Sequence, residues 1–302
     1  MPAKPKLGQN FLDDPEAIQR IASSLGDLTG RTVVEVGPGR GAITGALAAR
    51  AAHVLAVELD TELAAQLLTE FPPDPSARVT VLTQDVLCFD FVVASAAVGE
   101  SLPVAGNLPY GITSQILLKL AASCVSPSSP VPNGGVPNRR VLDRAILMVQ
   151  REVADRITAK PGTRDYGLLS VTVQMYGPAE KLFTLPPESF SPPPDVHSTV
   201  FRWRFAPRFA ELGLEEAGFL SFVRKAFAQK RKTLANNLRA ARIPPVAVAA
   251  ALAQAAIEPQ ARAEALSIET LAALWRSLQT VDSAAERSET ERTAPPSEAA
   301  PP

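Results

Sequence analysis

Short apolar runs alternate with amphipathic stretches through the first half of the chain. Residues 32–36 (Thr-Val-Val-Glu-Val) are apolar but for one acid and end at Gly37-Pro38-Gly39. A run with no polar face is what a strand buried on both sides of a parallel sheet requires. Runs at 53–57, 79–82, 102–105 and 145–149 predict four more such strands. Helical patterns at 42–50, 61–70, 114–122 and 152–158 fall between or after them. Strands and helices alternating at this spacing predict an α/β fold with a doubly wound parallel sheet. Residues 168–175 and 198–205 read as two further strands. Beyond them the period turns helical, at 219–238, 245–256 and 268–278, which predicts a small all-helical domain.

The chain of 302 residues is long enough for one large domain and one small one. Residues 1–206 are expected to form the first, 207–280 the second, and 281–302 a tail with the composition of disorder. Residues 123–138 are Pro/Ser/Gly-rich and aperiodic, and read as a surface loop inserted between a helix and a strand.

The formal net charge of −1 points to no partner. Its distribution does. Residues 281–302 hold five acids and two arginines and carry −3, leaving +2 for the rest. Residues 219–242 contain seven Lys or Arg and no acid, a local stripe of the kind a phosphate backbone needs. Arg224, Arg231 and Arg242 share one face with Ala228, Ala235 and Leu238 if the segment is a continuous helix.

Cys88 and Cys124 stand in unrelated surroundings, so neither a disulfide framework nor a zinc site is expected, and a reduced cytoplasmic compartment fits. His53 and His197 are too isolated to suggest a metal. The first residues lack the pattern of a signal or transit peptide, and no run of about 18 apolar residues predicts a membrane span.

Candidate chemistry begins at Val36-Gly37-Pro38-Gly39-Arg40-Gly41-Ala42, between a predicted strand and helix. Gly37 and Gly39 let the backbone approach a ligand closely, and the helix start offers free N–H donors. Glu58 ends the next strand, where a carboxylate can accept both hydroxyls of a ribose. Gly37-x-Gly39-x-x-Ala42 with Glu58 also satisfies a dinucleotide fingerprint, so these residues alone do not choose between NAD and S-adenosylmethionine.

Asp85 and the tetrapeptide Asn107-Leu108-Pro109-Tyr110 make the choice. Asp85, after the third strand, can accept from an adenine amino group. The tetrapeptide follows the fourth strand, and a dehydrogenase has no use for it. An adenine exocyclic amine is a poor nucleophile because its lone pair is delocalised into the ring. An Asn oxygen and a backbone carbonyl can each accept one amino proton, which localises and aims that lone pair. Pro109 stiffens the carbonyl before it, and Tyr110 can stack on the base. Positioning and electrostatics then suffice, with no metal in the scheme.

With these motifs in place the sequence resembles the small-subunit ribosomal RNA adenine dimethyltransferase family, from about Lys6 to Leu278. The resemblance rests on Leu7-Gly8-Gln9-Asn10-Phe11-Leu12, the glycine loop, Val57-Glu58-Leu59-Asp60, Gln84-Asp85-Val86 and Gly106-Asn107-Leu108-Pro109-Tyr110. It continues through Gln150-Arg151-Glu152-Val153-Ala154, Tyr166-Gly167-Leu168-Leu169-Ser170, Phe190-Ser191-Pro192-Pro193-Pro194-Asp195-Val196-His197-Ser198 and Phe227-Ala228-Gln229-Lys230-Arg231-Lys232-Thr233-Leu234-Ala235-Asn236-Asn237-Leu238. The resemblance implies a Rossmann-like S-adenosylmethionine-dependent methyltransferase sheet. It implies dimethylation of two adjacent adenosines in the 3′-terminal hairpin loop of small-subunit (16S) rRNA, with a part in subunit biogenesis. It further implies that Asn10, Leu12, Gly37, Gly39, Glu58, Asp85 and Asn107 meet the cofactor. Asn107, Leu108 and Tyr110 would hold the adenine, and Phe190 would stack on its other face. Arg224, Lys230, Arg231 and Lys232 become candidate RNA contacts on an immature small subunit, with a monomer as the default state.

Two departures stand out. Asp195 occupies a place where the family more often has a basic residue, and the 123–138 loop is longer than usual. Alternatives are a large-subunit rRNA methyltransferase, whose relatives usually carry Ile at the position of Leu108, and a non-catalytic RNA-binding assembly factor that kept the fold.

Overall fold

The structure, a computed structural model, describes residues 10–125 and 139–293, with side chains as far as Thr280 along the last helix. Two compact units emerge. One comprises the chain up to Thr158 together with Tyr176–Pro207; the other comprises Ala159–Met175 and the chain from Arg208 onward.

The first unit contains β1 (Phe11–Leu12), α1 (Pro15–Ser24), β2 (Thr32–Val36), α2 (Ala42–Ala48), β3 (His53–Glu58), α3 (Thr61–Glu70), β4 (Val79–Thr83), α4 (Phe91–Val98) and β5 (Leu102–Asn107). It continues with α5 (Thr113–Ser123), β6 (Leu142–Gln150), α6 (Arg151–Ile157), β7 (Ala179–Leu185), β8 (Phe190–Ser191) and β9 (Ser198–Arg204). Seven strands form one sheet in the order β4-β3-β2-β5-β6-β9-β7. The first five are parallel, as the apolar runs predict, whereas β9 and β7 run antiparallel at one side. The sheet is therefore doubly wound but mixed, a common ending for such sheets. β7 escaped prediction because its residues (Ala-Glu-Lys-Leu-Phe-Thr-Leu) are half polar, as befits an edge. The helices α1 and α4, which the sequence pattern did not predict, start on Asp caps. Asp14 accepts from the amides of Glu16 and Ala17 ahead of Pro15, and Asp90 accepts from those of Val92 and Val93.

The chain leaves β2 toward β3 on one side and returns to β5 on the other. That reversal is where ligands bind in open α/β sheets. Val36 lies level with Val57 and with Gly106, and Glu58 with Thr83, so four strand tips end along one rim. Gly106 makes this possible, since a Cβ there would lie 2.7 Å from the Val36 carbonyl oxygen. Behind the rim Val33, Val34, Val54, Ala56, Val104 and Ala105 are completely buried.

The second unit contains α7 (Leu168–Met175), α8 (Glu216–Ala226), α9 (Leu234–Ala240), α10 (Pro245–Gln254) and α11 (Ile268–Thr293). Three expectations are corrected here. Residues 168–175, read as a strand, form α7 within the helical unit, so this unit begins earlier than residue 207 and is discontinuous in sequence. Its Val-Thr-Val core favours strand locally, but Ser170, Val171, Thr172, Val173 and Met175 are all buried, and packing overrides propensity. Residues 219–238 are not one helix. Asn237 Nδ2 donates to the carbonyls of Ala226 (2.8 Å) and Gln229 (3.2 Å), which closes α8, while the Thr233 hydroxyl accepts from the Asn236 amide and opens α9. Lys230, Arg231 and Lys232 thus sit in the turn between helices, and the predicted one-face stripe does not exist. Finally, the backbone stays helical to Thr293, past the expected start of the disordered tail, whose last residues (294–302) lie outside the described ones, as do 126–138 of the predicted loop.

Candidate active site

A cavity of about 270 Å³ opens on the rim of β2, β3, β4 and β5. Asn10, Leu12, Gly37, Gly39, Glu58, Asp85, Asn107, Leu108, Pro109 and Tyr110 all line it, as does Arg40. Residues separated by nearly a hundred positions are thus brought together by the topology alone.

Gly39 adopts φ 61°, and the Phe11 ring lies 3.1 Å from where its Cβ would stand. Only glycine meets both demands. Glu58 is 3 % exposed, and its carboxylate accepts from the Gly39 amide (Oε2, 2.9 Å) and from the Asp60 amide (Oε1, 2.9 Å). The acid expected to read a ribose therefore also braces the glycine loop. Asp85 accepts from the Leu87 amide at 2.9 Å and caps the short turn Val86–Cys88, so the bland role of a cap and a place on the cavity wall coincide.

In the tetrapeptide, Asn107 Nδ2 donates to the Asn10 carbonyl at 3.1 Å, and the Leu108 amide donates to the Met148 carbonyl at 3.0 Å. The Leu108 carbonyl, ahead of Pro109, accepts no hydrogen bond among the described residues. The Tyr110 hydroxyl pairs with the hydroxyl of Ser198 at 2.7 Å, and burial pushes its phenol up, keeping it neutral. Ser198, fully buried on β9, was quoted only within a motif; nothing in its local pattern announced a partner 88 positions away.

Phe190 is the exception. It pairs opposite Leu12 between β8 and β1, is 4 % exposed and belongs to the core cluster with Leu12, Leu185 and Val200. It is not among the residues that line the cavity, and its stacking on a base stays an expectation from the resemblance. An aromatic in a short strand satisfies a core position as well as a stacking one, and the sequence pattern is the same for both.

Glu35 is visible in the sequence as the one acid of an apolar run, but no role was assigned to it there. It is the one acid in β2, is completely buried and lines the cavity. Burial pushes its carboxyl up to about 7, the nearby charge of Glu58 adds to the shift, and the Thr44 hydroxyl partly offsets it. The folded chain thus keeps this proton over a range where the unfolded chain has released it, so stability falls as pH rises from about 4.5 to about 7. Across that window the fall from this one group is on the order of 3 kcal/mol. Glu35→Gln is expected to flatten that part of the curve. Thermal midpoints at pH 5 and pH 8 test it, and equal pH slopes in wild type and variant would refute it.

In the helical unit Arg224, Lys225, Lys230, Arg231, Lys232, Arg239 and Arg242 are all exposed, and none forms an ion pair among the described residues. Lys230 Nζ donates to the Arg164 carbonyl at 2.9 Å. Among the described residues no cluster of His, Cys, Asp and Glu could hold a metal ion, and no helix is long and apolar enough to cross a membrane.

A nucleoside fits this cavity on the chain's own terms. A buried acid stands ready for a ribose, exposed apolar Leu59 adjoins it, and backbone approach is open at Gly37. A hydride-transfer enzyme needs no pair of amine acceptors beside its nucleoside pocket, whereas an amine methyltransferase does. The fold and cavity define a methyltransferase of the S-adenosylmethionine-dependent α/β class.

Comparison with known proteins narrows the class. The family model described as ribosomal RNA adenine dimethylase matches residues 2–280. The chain is similar to ribosomal RNA small subunit methyltransferase A of Acidobacterium capsulatum, at 52 % identity over 276 residues and 91 % of each chain. It is similar at 45 % identity to the protein of that name from Koribacter versatilis, over 91 % of this chain and 94 % of that one. Among solved structures it resembles the 23S rRNA methyltransferase ErmE (TM-score 0.62, 27 % identity, 89 % of this chain and 100 % of that one). The fold also matches a dimethyladenosine transferase from Plasmodium falciparum (TM-score 0.70, 19 % identity, 89 % of this chain and 98 % of that one). The chain belongs to the ribosomal RNA adenine dimethylase family, and S-adenosylmethionine is its methyl donor.

Proposed function

We propose that the chain dimethylates the exocyclic amines of two adjacent adenosines in the 3′-terminal hairpin loop of small-subunit rRNA. The observation that carries the chemistry is the shared cavity: Asn107 and the free Leu108 carbonyl open on the same space as Glu58 and Gly39. S-adenosylmethionine, when bound, supplies an electrophilic methyl group. Glu58 accepts the ribose hydroxyls, and Asp85 accepts from the donor's adenine amine. Asn107 Oδ1 and the Leu108 oxygen each accept one proton of the target amine, which concentrates its lone pair and aims it. Pro109 and the Met148–Leu108 hydrogen bond fix that carbonyl. Tyr110, held by Ser198, offers its ring to the base. The amine becomes acidic once alkylated, so no strong general base is required.

The choice of the small subunit is supported by the relatives at 52 % and 45 % identity, both named for it. Leu108, rather than Ile, in the tetrapeptide points the same way. The reading takes the immature subunit as substrate, a monomer as the working form and the cytoplasm as compartment; Cys88 and Cys124 are not joined in a disulfide, which suits a reducing one. Mass spectrometry of rRNA fragments, after incubating unmethylated small and large subunits in separate reactions with the chain and labelled donor, tests it. Label on two adjacent adenosines near the 3′ end is expected. Label only on large-subunit rRNA would transfer the assignment to the chemistry named for ErmE.

RNA affinity on this reading comes from the cationic turn Lys230-Arg231-Lys232 with Arg224 nearby in sequence. Replacing the three turn cations by Ala is expected to weaken RNA binding and to reduce the slope of log affinity against log salt by about 2 to 3. Donor affinity should stay unchanged. Anisotropy titrations at several salt concentrations check this, and an unaltered slope removes the turn from the RNA surface.

A further inference from the structure

The segment Asn10–Leu12 does more than wall the cavity. We infer that it orients the Asn107 amide for catalysis, and that Arg40, stacked on Phe11, latches it in the orienting position; the inference rests on the methyltransferase reading above.

An Asn amide turns about a broad, roughly two-fold torsion, so its oxygen and nitrogen ends readily exchange places. With the nitrogen toward the target amine, donor would face donor and the lone pair would not be localised. The Asn10 carbonyl decides the matter, because only the NH₂ end can donate to it, and it does so at 3.1 Å. Asn107 Oδ1 takes no hydrogen bond among the described residues and is left as the acceptor.

The strap that carries this carbonyl is weakly tethered. Its ladder consists of two pairs, Phe11 with Ser191 and Leu12 with Phe190, followed by the Asp13 amide to the Ser189 carbonyl at 2.9 Å. Two features close it. The Phe11 ring packs on Gly39, whose amide is held by Glu58. The Arg40 guanidinium lies 4.2 Å from the Phe11 ring centroid, is exposed and forms no ion pair among the described residues. A cation free of carboxylates beside an aromatic face is a cation–π clamp. Arg40 is therefore a positioning residue that acts through Phe11 and Asn10 on Asn107.

The test uses the full chain with Phe11→Leu, Phe11→Trp, Arg40→Leu and Arg40→Lys. Single-turnover methylation at saturating donor is expected to slow about tenfold in Phe11→Leu and about threefold in Arg40→Leu, with smaller changes in donor affinity. The Trp and Lys variants, which keep an aromatic face and a cation, should recover most of the rate. Deuterium uptake by the backbone of residues 10–13, measured without donor or RNA, should be faster in Arg40→Leu than in wild type. An unchanged rate at saturating donor, with only donor affinity reduced, would make the strap a mere wall and overturn the inference. Unchanged uptake in Arg40→Leu overturns the latch too, even where the wild-type control methylates no small subunit. That last result would instead be the failure of the proposed function.

Discussion

Asn107→Ala is expected to lower the single-turnover rate at saturating donor by a factor of about 10²–10³ while RNA affinity stays within about twofold. Removal of one pre-positioned acceptor typically costs that much, because the Leu108 carbonyl alone leaves the second amine proton without its acceptor. RNA affinity is spared because the exposed cations of the helical unit are untouched. Asn107→Asp separates the two ends of the side chain. It keeps an acceptor for the amine but sets a second oxygen against the Asn10 carbonyl, where Nδ2 now donates at 3.1 Å, so it too should be impaired. Rapid-quench assays with filter binding on the same variants check both. Parallel loss of rate and RNA affinity would count against the role given to Asn107.

Glu58→Ala should raise the donor dissociation constant by about two to four orders of magnitude, with RNA affinity unaltered. Two hydrogen bonds from ribose hydroxyls to a carboxylate disappear, each worth roughly 1.5–3 kcal/mol when the acceptor is charged. The same substitution leaves the Gly39 and Asp60 amides without the acceptor they now have at 2.9 Å, so the glycine loop also loosens. Glu58→Gln, which keeps one acceptor oxygen, should fall between. Isothermal titration of the donor decides, and an unchanged affinity in Glu58→Ala would remove this carboxylate from the cofactor site.

What the sequence disclosed, and what it concealed, follows from the range of the forces involved. β2, β3, β5 and β6 were legible because strands buried on both faces must be largely apolar, β4 was legible from its Val-Thr-Val-Leu run although it lies at an edge, and the sheet's winding followed from their alternation with helices. Glu58, Asp85, Asn107 and the glycine loop were legible as cavity residues because they follow strand tips that converge, whereas Asn10 and Leu12 were named only through the family resemblance. α7 was misread because Leu-Leu-Ser-Val-Thr-Val-Gln-Met prefers strand locally and is helical only through burial on nearly all sides. The break between α8 and α9 depends on the Asn237 side chain reaching back to Ala226 and Gln229, and an Asn inside an Ala- and Leu-rich run gives no sign of that. Glu35 was visible as an odd acid in an apolar strand. Only the fold reveals that Glu58 lies near enough for its charge to help push the Glu35 carboxyl up.

Asn237 carries one more implication. By gripping the Ala226 and Gln229 carbonyls from the next helix, it fixes the backbone of the bend from which Lys230, Arg231 and Lys232 project. A slack bend would merely count phosphates; a set one spaces the roots of its cations to suit the gaps between them. On the proposed reading, then, a folded ribosomal target would be told apart from an arbitrary polyanion by the spacing of its backbone, before any base is read.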